Sequence, residues 1–321
     1  MRAVYINQMS QDNPLDGLQV GEFEQGEPPA GFRRVAVKAS ALNHHDLWSL
    51  RGVGLPAERL PMILGCDAAG VDDDGAEVIV HGVLSTPGWS GDETLDPKRS
   101  LLSERYPGTM ADYVWVPERN LVPKPPELTF EEAACLPTSW LTAYRMLFTV
   151  STAAPGSTIL VQGAGGGVAT ALISLASAAG FRVWATSRSE EKRRRAVELG
   201  AAATFDSGAR LPERVDVVFD SVGEATWAHS LKSLVPGGAV VTCGATSGPA
   251  PSADLNRVFF LQLRVLGSTM GTREELVRLT RFLVATGIRP QIDSVFSLED
   301  AAEGFQRMHD GEVFGKIVFR H

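Results

Sequence analysis

The rhythm of hydrophobic positions changes part-way along the chain. Before about residue 122, short stretches such as RRVAVKASAL, AEVIVHGV and MADYVWVP alternate apolar with polar residues and are separated by Gly, Pro and Asp. Alternation with a period of two is typical of strands that bury one face. This part of the chain is therefore predicted to form a mostly antiparallel β-domain.

From Ser157 onward, continuous apolar runs alternate with longer helical stretches. TILVQG, FRVWATS, VDVVFDSV, GGAVVTCG and RVLGSTM are predicted strands, and GVATALISLASAAG and the segment after Ser189 are predicted helices. Apolar runs without alternation are typical of parallel strands that helices cover on both faces. The pattern predicts an α/β fold with a doubly wound parallel sheet, followed by an amphipathic helix and a closing strand, FGKIVFR.

The length, the net charge and the cysteine content of the chain limit which classes of protein it can belong to. A chain of 321 residues is expected to form two domains, and prolines at 123, 125 and 126 put a domain boundary near residue 126. The net charge of -8 argues against nucleic acid as a partner, since phosphates require a basic surface. Three widely separated cysteines, no secretory signal and no apolar run of membrane-spanning length predict a cytoplasmic protein without membrane contact.

The stretch GAGGGVA, residues 163–169, stands between a predicted strand and a predicted helix. This is the context in which a glycine pattern indicates dinucleotide binding. Gly163 permits a tight turn, and Gly165, Gly166 and Gly167 let backbone amides approach a pyrophosphate at the helix N-terminus, where Val168 follows. The alternative is a glycine-rich turn that binds nothing.

The end of the second strand of this unit predicts which dinucleotide binds. NAD sites place a carboxylate there for the ribose hydroxyls, whereas NADP sites place an arginine nearby for the 2'-phosphate. The sequence ATSRSEEK has Ser187 and Arg188 at this point and no carboxylate before Glu190. We therefore predict NADP(H), with Lys192 as a further candidate contact and residues 193–195 as a solvated helix face.

The ordered motifs ALNHHDLW, LPMILGCDAAG, PGTMADYVWVP, LPTSWLTAY, GAGGGVA, DSVG and FGKIVF carry a resemblance. Together they resemble the medium-chain dehydrogenase/reductase superfamily, and within it the zinc-independent, quinone-oxidoreductase-like branch. The resemblance implies a Rossmann dinucleotide-binding domain, residues 127–270, inserted in a GroES-like catalytic domain, residues 1–126 and 271–321. It further implies cofactor contacts from Thr142, Val222, Gly244, Ala245 and Lys316, the last of these reaching the cofactor phosphates.

The same resemblance bears on metal binding. Zinc-dependent relatives use two cysteines and a histidine, and the corresponding positions here hold Asn43, Cys66 and Thr138. One soft ligand cannot make a tetrahedral site. The adjacent His44 and His45 would point to different sides of an extended or helical segment, so they cannot close on one ion. No catalytic metal is predicted.

Without a Lewis acid, an acceptor that delocalises incoming charge is favoured. The predicted function is hydride transfer from NADPH to a quinone or an α,β-unsaturated carbonyl substrate. Asn43 and His45 are the predicted hydrogen-bond donors, with His45 also the proton donor, and Asp46 is predicted to fix local backbone amides or to pair with Arg51.

Two alternative functions remain open, and one further prediction concerns the oligomeric state. One is a zinc-dependent alcohol dehydrogenase with the atypical ligands Cys66, Asp67 and His45. Another is a sensor that binds NADPH without turnover. The apolar edge strand RVLGSTM also predicts a homodimer, because pairing with its copy would cover an open strand edge.

Overall fold

The computed structural model describes residues 1–321. The strands are β1 (Arg2–Ile6), β2 (Leu18–Glu22), β3 (Phe32–Ala41), β4 (Met62–Ile63), β5 (Asp67–Asp72), β6 (Glu77–Val80), β7 (Val83–Leu84), β8 (Ser100–Leu101), β9 (Tyr113–Pro117), β10 (Leu121–Pro123), β11 (Thr158–Val161), β12 (Arg182–Thr186), β13 (Ala203–Phe205), β14 (Val215–Asp220), β15 (Leu234–Thr242), β16 (Arg264–Gly267), β17 (Ile292–Ser297) and β18 (Lys316–Arg320). The α-helices are α1 (His44–Leu50), α2 (Phe130–Ala134), α3 (Leu141–Arg145), α4 (Gly167–Ala178), α5 (Glu190–Glu198), α6 (Glu224–Ser233), α7 (Leu255–Phe260), α8 (Arg273–Thr286) and α9 (Ala301–His309).

The chain divides into two compact units. The first unit comprises Met1–Leu141 and Met270–His321, and the second comprises Thr142–Thr269. The first boundary lies later than the position near residue 126 that the prolines indicate. The reason is that α2, which begins after a capping box between Thr129 and Glu132, packs against β3 and β5 of the first unit.

The first unit is built on a seven-stranded sheet. Its strands run in the order β10-β6-β5-β3-β18-β17, with β9 paired to β3, and only β17 and β18 pair in parallel. In β3, the buried Val35, Val37 and Ala39 alternate with polar residues, among them the exposed Arg34 and Lys38. The predicted period of two thus corresponds to a strand with one face in the core, and the predicted antiparallel β-domain is confirmed.

Two segments that are distant in sequence meet at one end of this sheet. β18 pairs with β3, and beyond the last paired residue the Leu42 amide donates to the Ile317 carbonyl at 3.0 Å. This register brings Lys316, the first residue of β18, next to the chain that leads into α1. Leu50 of α1 packs in the same hydrophobic cluster as Phe319 of β18.

The second unit contains one six-stranded parallel sheet in the order β13-β12-β11-β14-β15-β16. The central strands are apolar without alternation, as Leu160, Val218 and Val240 illustrate, and all three are fully buried. Helices α4, α5 and α6 pack against the sheet. The predicted doubly wound α/β sheet is confirmed.

No helix of the structure is both long enough and apolar enough to cross a bilayer.

Candidate functional site

The NHHD segment forms the beginning of α1. Asn43 directly precedes the helix, and its backbone amide donates to Asp46 Oδ2 at 2.9 Å. The other carboxylate oxygen of Asp46 accepts from the Gly65 amide at 2.9 Å. Burial raises the pKa of this fully buried carboxyl. Asp46 thus fixes two local backbone amides and makes no ion pair with Arg51.

The Lys316 ammonium lies in a closed cluster of polar groups just before α1. It donates to the Leu42 carbonyl at 2.7 Å, to Asn43 Oδ1 at 2.6 Å and to Asp67 Oδ2 at 3.2 Å. Lys316 is 2% exposed and Asp67 is 0% exposed. An ammonium has three N–H donors, and all three are used here. In this structure the charge of Lys316 is committed to Asp67 inside the first unit, and contact of Lys316 with the cofactor phosphates stays a prediction that would require the ammonium to leave this cluster.

Asn43 belongs to the same cluster. Its side-chain amide donates to Asp67 Oδ2 at 2.8 Å and to the Ala41 carbonyl at 3.4 Å, while its oxygen accepts from Lys316. The residue is buried. In this structure both N–H groups of the Asn43 amide are engaged by its neighbours, and donation from Asn43 to a substrate oxygen stays a prediction.

His45 extends from α1 between two side chains that come from other parts of the first unit. Its Nε2 lies 3.2 Å from Glu104 Oε1, and its Nδ1 lies 3.5 Å from Cys66 Sγ. Burial alone would lower the pKa of His45, but the contacts with Cys66 and Glu104 outweigh it and raise this pKa well above 6.5. Burial also raises the pKa of the Cys66 thiol. His44, by contrast, is exposed.

In the second unit, the glycine loop connects β11 to α4. Gly163 has φ +71°, and a Cβ built on it would lie 2.7 Å from Val222 Cγ2. Gly165 has φ +140°, and its Cβ would lie 2.8 Å from Lys192 Cδ. Both positions require glycine, because the backbone conformation and the space exclude a larger residue. This is the tight turn that the sequence indicated.

Gly166 differs from these two glycines. Its φ of -73° is accessible to any residue, and a Cβ built on it would have no atom within 4 Å. It precedes α4, whose first residues are Gly167 and Val168, and no side chain caps the helix. The first-turn amides of a helix have no partner within the helix and carry a partial positive charge. Open space beside uncapped amides fits a pyrophosphate group.

The end of β12 presents Ser187 and Arg188. Ser187 is buried, and its hydroxyl accepts from the Ser189 amide at 3.3 Å. Arg188 is exposed and makes no hydrogen bond or ion pair. The Ser189 side chain caps α5 by accepting from the Lys192 amide, as the sequence predicted for the start of this helix. The exposed guanidinium of Arg188 is available to an anion.

The other predicted cofactor contacts are distributed over the second unit. Thr142 is buried in α3, and the Val222 amide donates to Asp220 Oδ1 at 2.8 Å beyond the end of β14. Gly244 and Ala245 follow the end of β15, which pairs directly with β14. Parallel strands end at the same edge of a sheet, so the structure brings the segments after β11, β12, β14 and β15 to one edge of the second unit.

Comparison with known proteins shows the family. Residues 30–126 match the family model described as "Alcohol dehydrogenase GroES-like domain", and residues 167–285 match "Zinc-binding dehydrogenase". The zinc-type alcohol dehydrogenase-like protein YogA of Leptosphaeria maculans is 30% identical over 342 residues, which cover 94% of both chains. The chain belongs to the medium-chain dehydrogenase/reductase superfamily. It is an oxidoreductase of this superfamily, as its motifs predict.

Two further members of the superfamily cover almost the whole chain. An acryloyl-coenzyme A reductase of Metallosphaera sedula is 28% identical over 99% of both chains. A solved structure described as an NAD-dependent alcohol dehydrogenase is 36% identical, covers both chains completely and superposes with a TM-score of 0.91. The GroES-like and Rossmann architecture of this superfamily is therefore confirmed for the present chain.

The description "Zinc-binding dehydrogenase" raises the question of whether the side chains of this chain could hold zinc. No group of three or more His, Cys, Asp or Glu residues is arranged to hold a metal ion. The two nitrogens of His45 face different partners, and the Lys316 ammonium already neutralises Asp67. A second cation beside that ammonium would be repelled. The residues present do not fit a catalytic zinc.

The sequence did not indicate two features of this site. Glu104 lies in a long segment without periodicity, and nothing in its neighbourhood links it to His45, 59 positions away. The buried pair of Lys316 with Asp67 joins residues 249 positions apart. The motif FGKIVF indicated a functional role for Lys316, but it does not show which anion pairs with the Lys316 ammonium.

Proposed function

We propose that this protein reduces α,β-unsaturated carbonyl compounds or quinones with NADPH and without a catalytic metal. The observation that carries the proposal is the composition of the cluster around α1. It contains an imidazole held between a thiol and a carboxylate, beside an internal ammonium, where zinc-dependent relatives would need three ligands. Such a cluster can supply a proton but cannot act as a Lewis acid.

Residues of the second unit would hold the cofactor. We assign the pyrophosphate to the uncapped amides at Gly166 and Gly167, and the 2'-phosphate to Arg188 with Ser187. Thr142, Val222, Lys192, Gly244 and Ala245 are proposed as further contacts. When bound, NADPH supplies the hydride. The loop and the free guanidinium fit this group because neither needs rearrangement to accept a phosphate.

The acceptor class follows from the charge that has to be stabilised. Hydride addition to a simple ketone produces an alkoxide, which a metal ion normally stabilises. Addition to a conjugated enone or a quinone spreads the charge over the acceptor, and a protonated His45 can then complete the reduction by giving up its proton. The similarity to an acryloyl-coenzyme A reductase supports the enone class.

A second candidate function has a specific observation in its favour. The solved structure with 36% identity is described as an NAD-dependent alcohol dehydrogenase. For the present chain, that function would require NAD in place of NADP and a ligand set that includes Cys66 and His45. The exposed Arg188 and the absence of a carboxylate before Glu190 favour NADP(H).

One experiment separates the two functions. Purified protein is incubated with NADPH or NADH and with an acrylyl thioester, a benzoquinone or a simple ketone, while nicotinamide oxidation and bound zinc are measured. We expect turnover of the thioester or the quinone with NADPH at substoichiometric zinc. Ketone reduction with NADH that requires one zinc per chain, and that a chelator abolishes, would establish the alcohol dehydrogenase instead.

We further propose a homodimer through the edge of the parallel sheet. β16 is the last strand of that sheet, and Val265 on it is 49% exposed. The neighbouring α7 exposes Phe259 and Phe260, which are 68% and 79% accessible. Pairing of β16 with its copy would satisfy the open strand edge and cover these side chains. Light scattering is expected to give twice the chain mass, and the Val265→Lys variant a single chain.

A further inference from the structure

A carboxylate from the loop after β8 reaches the imidazole of α1. Glu104 Oε1 lies 3.2 Å from His45 Nε2, and Glu104 Oε2 accepts from the Leu101 amide at 3.0 Å. The backbone contact fixes the orientation of the carboxylate. Glu104 is 26% exposed and His45 is 19% exposed, so this side of the ring borders solvent.

The Nδ1 side of the His45 ring is shielded from solvent. Cys66 is 1% exposed, and its thiol donates to the Leu102 carbonyl at 3.1 Å. Because the thiol proton is used in that bond, the sulfur offers its lone pairs to His45 Nδ1, 3.5 Å away. Both ring nitrogens therefore face acceptors. A neutral imidazole can donate at one nitrogen only, whereas the imidazolium donates at both. The contacts of His45 match the cation.

We propose that Glu104 is a positioning residue that holds His45 as an oriented imidazolium and returns a proton to it after each turnover. The inference rests on the proposed function. In the reaction, a hydride adds to the β-carbon of the enone. The resulting enolate displaces Glu104 as the acceptor of the His45 Nε2 proton and takes that proton. The neutral imidazole then regains a proton from water through the Glu104 carboxylate. Each reduced double bond consumes one hydride and one proton.

The charges around His45 support this assignment. The titratable groups that face it are Glu104 from the loop, Cys66 from the segment before β5, and Asp46 on α1. Burial would raise the pKa of Glu104, yet the contact with His45 lowers it. The pKa values of the two partners thus move apart, as expected for a carboxylate and an imidazolium that stabilise each other's charge.

The test compares Glu104→Gln with Glu104→Asp and with Glu58→Gln. Gln preserves the shape and removes the charge, Asp preserves the charge, and Glu58 is an exposed glutamate of the same unit without a partner. The His45 imidazole is titrated by NMR in 15N-histidine-labelled protein, with His45→Asn used to assign its signal. We expect the midpoint in Glu104→Gln to fall by about 1 to 3 pH units, the effect of losing one nearby opposite charge. Glu58→Gln should leave it unchanged, and Glu104→Asp should retain most of the elevation.

A second readout concerns the reaction itself. The loss of kcat/KM at high pH should begin at lower pH in Glu104→Gln, by the same shift that NMR gives for His45. A His45 midpoint at or below 6.5 in the unmodified protein would overturn the proposal even if Glu104→Gln failed to fold. If the NMR shift occurs but no enone or quinone is reduced, the positioning role stands and the proposed function fails.

Discussion

Two polar regions of this molecule differ in how their hydrogen-bonding groups are used. Each region lies at a backbone turn that leads into a helix. Before α1, the groups of Asn43, Asp67 and Lys316 are bonded to one another and closed to solvent. Before α4, the turn at Gly166 leaves uncapped amides beside open space, and Arg188 at the next strand end has no partner. The first region pairs its charges internally, although Asp67 Oδ1 accepts no hydrogen bond, whereas the second region leaves its donors for a ligand.

This difference separates residues that stabilise the fold from residues that bind. Sequence motifs indicated a functional role for both regions. The two regions are distinguished by whether each charged group already has a partner within the protein. The comparison predicts that substitutions in the first region act mainly on stability and that substitutions in the second act mainly on cofactor affinity.

The largest effect is expected for Lys316→Met. This substitution leaves the fully buried Asp67 carboxylate without its counter-charge, and loss of one partner from a buried pair costs about 3 to 5 kcal/mol of unfolding free energy. Urea denaturation followed by tryptophan fluorescence measures it. The double variant Lys316→Met with Asp67→Asn should recover most of the loss, since no charge then remains buried. A single-variant loss under 1 kcal/mol would mean that the cluster is open to water.

An intermediate effect is expected for Arg188→Ala. Removal of this exposed guanidinium should weaken NADPH binding by about 1 to 3 kcal/mol, the contribution of a charge-assisted hydrogen bond, and should leave NADH binding nearly unchanged. Isothermal titration with both dinucleotides measures the difference. Arg194→Ala is the matched control, because Arg194 is paired with Glu191 and Glu198 on α5. Equal weakening of both cofactors would remove Arg188 from the 2'-phosphate site.

The smallest effect on stability is expected for Gly166→Ala. The new Cβ meets no protein atom, so the unfolding free energy should change by less than about 0.5 kcal/mol. Cofactor affinity should nevertheless fall by about tenfold, because the methyl group occupies the approach to the helix amides. Gly163→Ala is the contrasting variant: its positive φ and the contact with Val222 should cost about 1 to 2 kcal/mol of stability. Unchanged cofactor affinity in Gly166→Ala would place the pyrophosphate elsewhere.

The sequence predicted the elements of the second unit well, for a physical reason. Its strands are covered on both faces and its helices carry local capping signals, so each element is specified by its own residues, as Ser189 shows for α5. The exceptions are helices α6 and α7, which were not predicted, and strand β13, which has three residues and no fully buried side chain among them. Such a short strand exists because it pairs with β12, and this pairing leaves no pattern of its own.

The candidate site was less predictable, because its contacts are long-range. The sequence predicts ligand-binding roles for Asn43 and Lys316, but it does not predict that the two side chains bond to each other in the folded chain. No sequence pattern links Glu104 to His45. Periodicity reports which face of an element is buried, but it does not report which distant side chain meets that face. Buried ion pairs and imidazole contacts are therefore visible only after the chain has folded.

The state of the cysteines has a chemical consequence for the proposed reduction of conjugated carbonyls. Such compounds are Michael acceptors, and they alkylate a cysteine through its thiolate. Burial raises the pKa of Cys66, and it raises that of Cys135 and of Cys243 to about 12. The sulfhydryl groups of Cys135 and Cys243 thus stay protonated at neutral pH, and a protonated thiol reacts slowly with electrophiles. We therefore expect these two cysteines to resist alkylation by the acceptors that we propose as substrates.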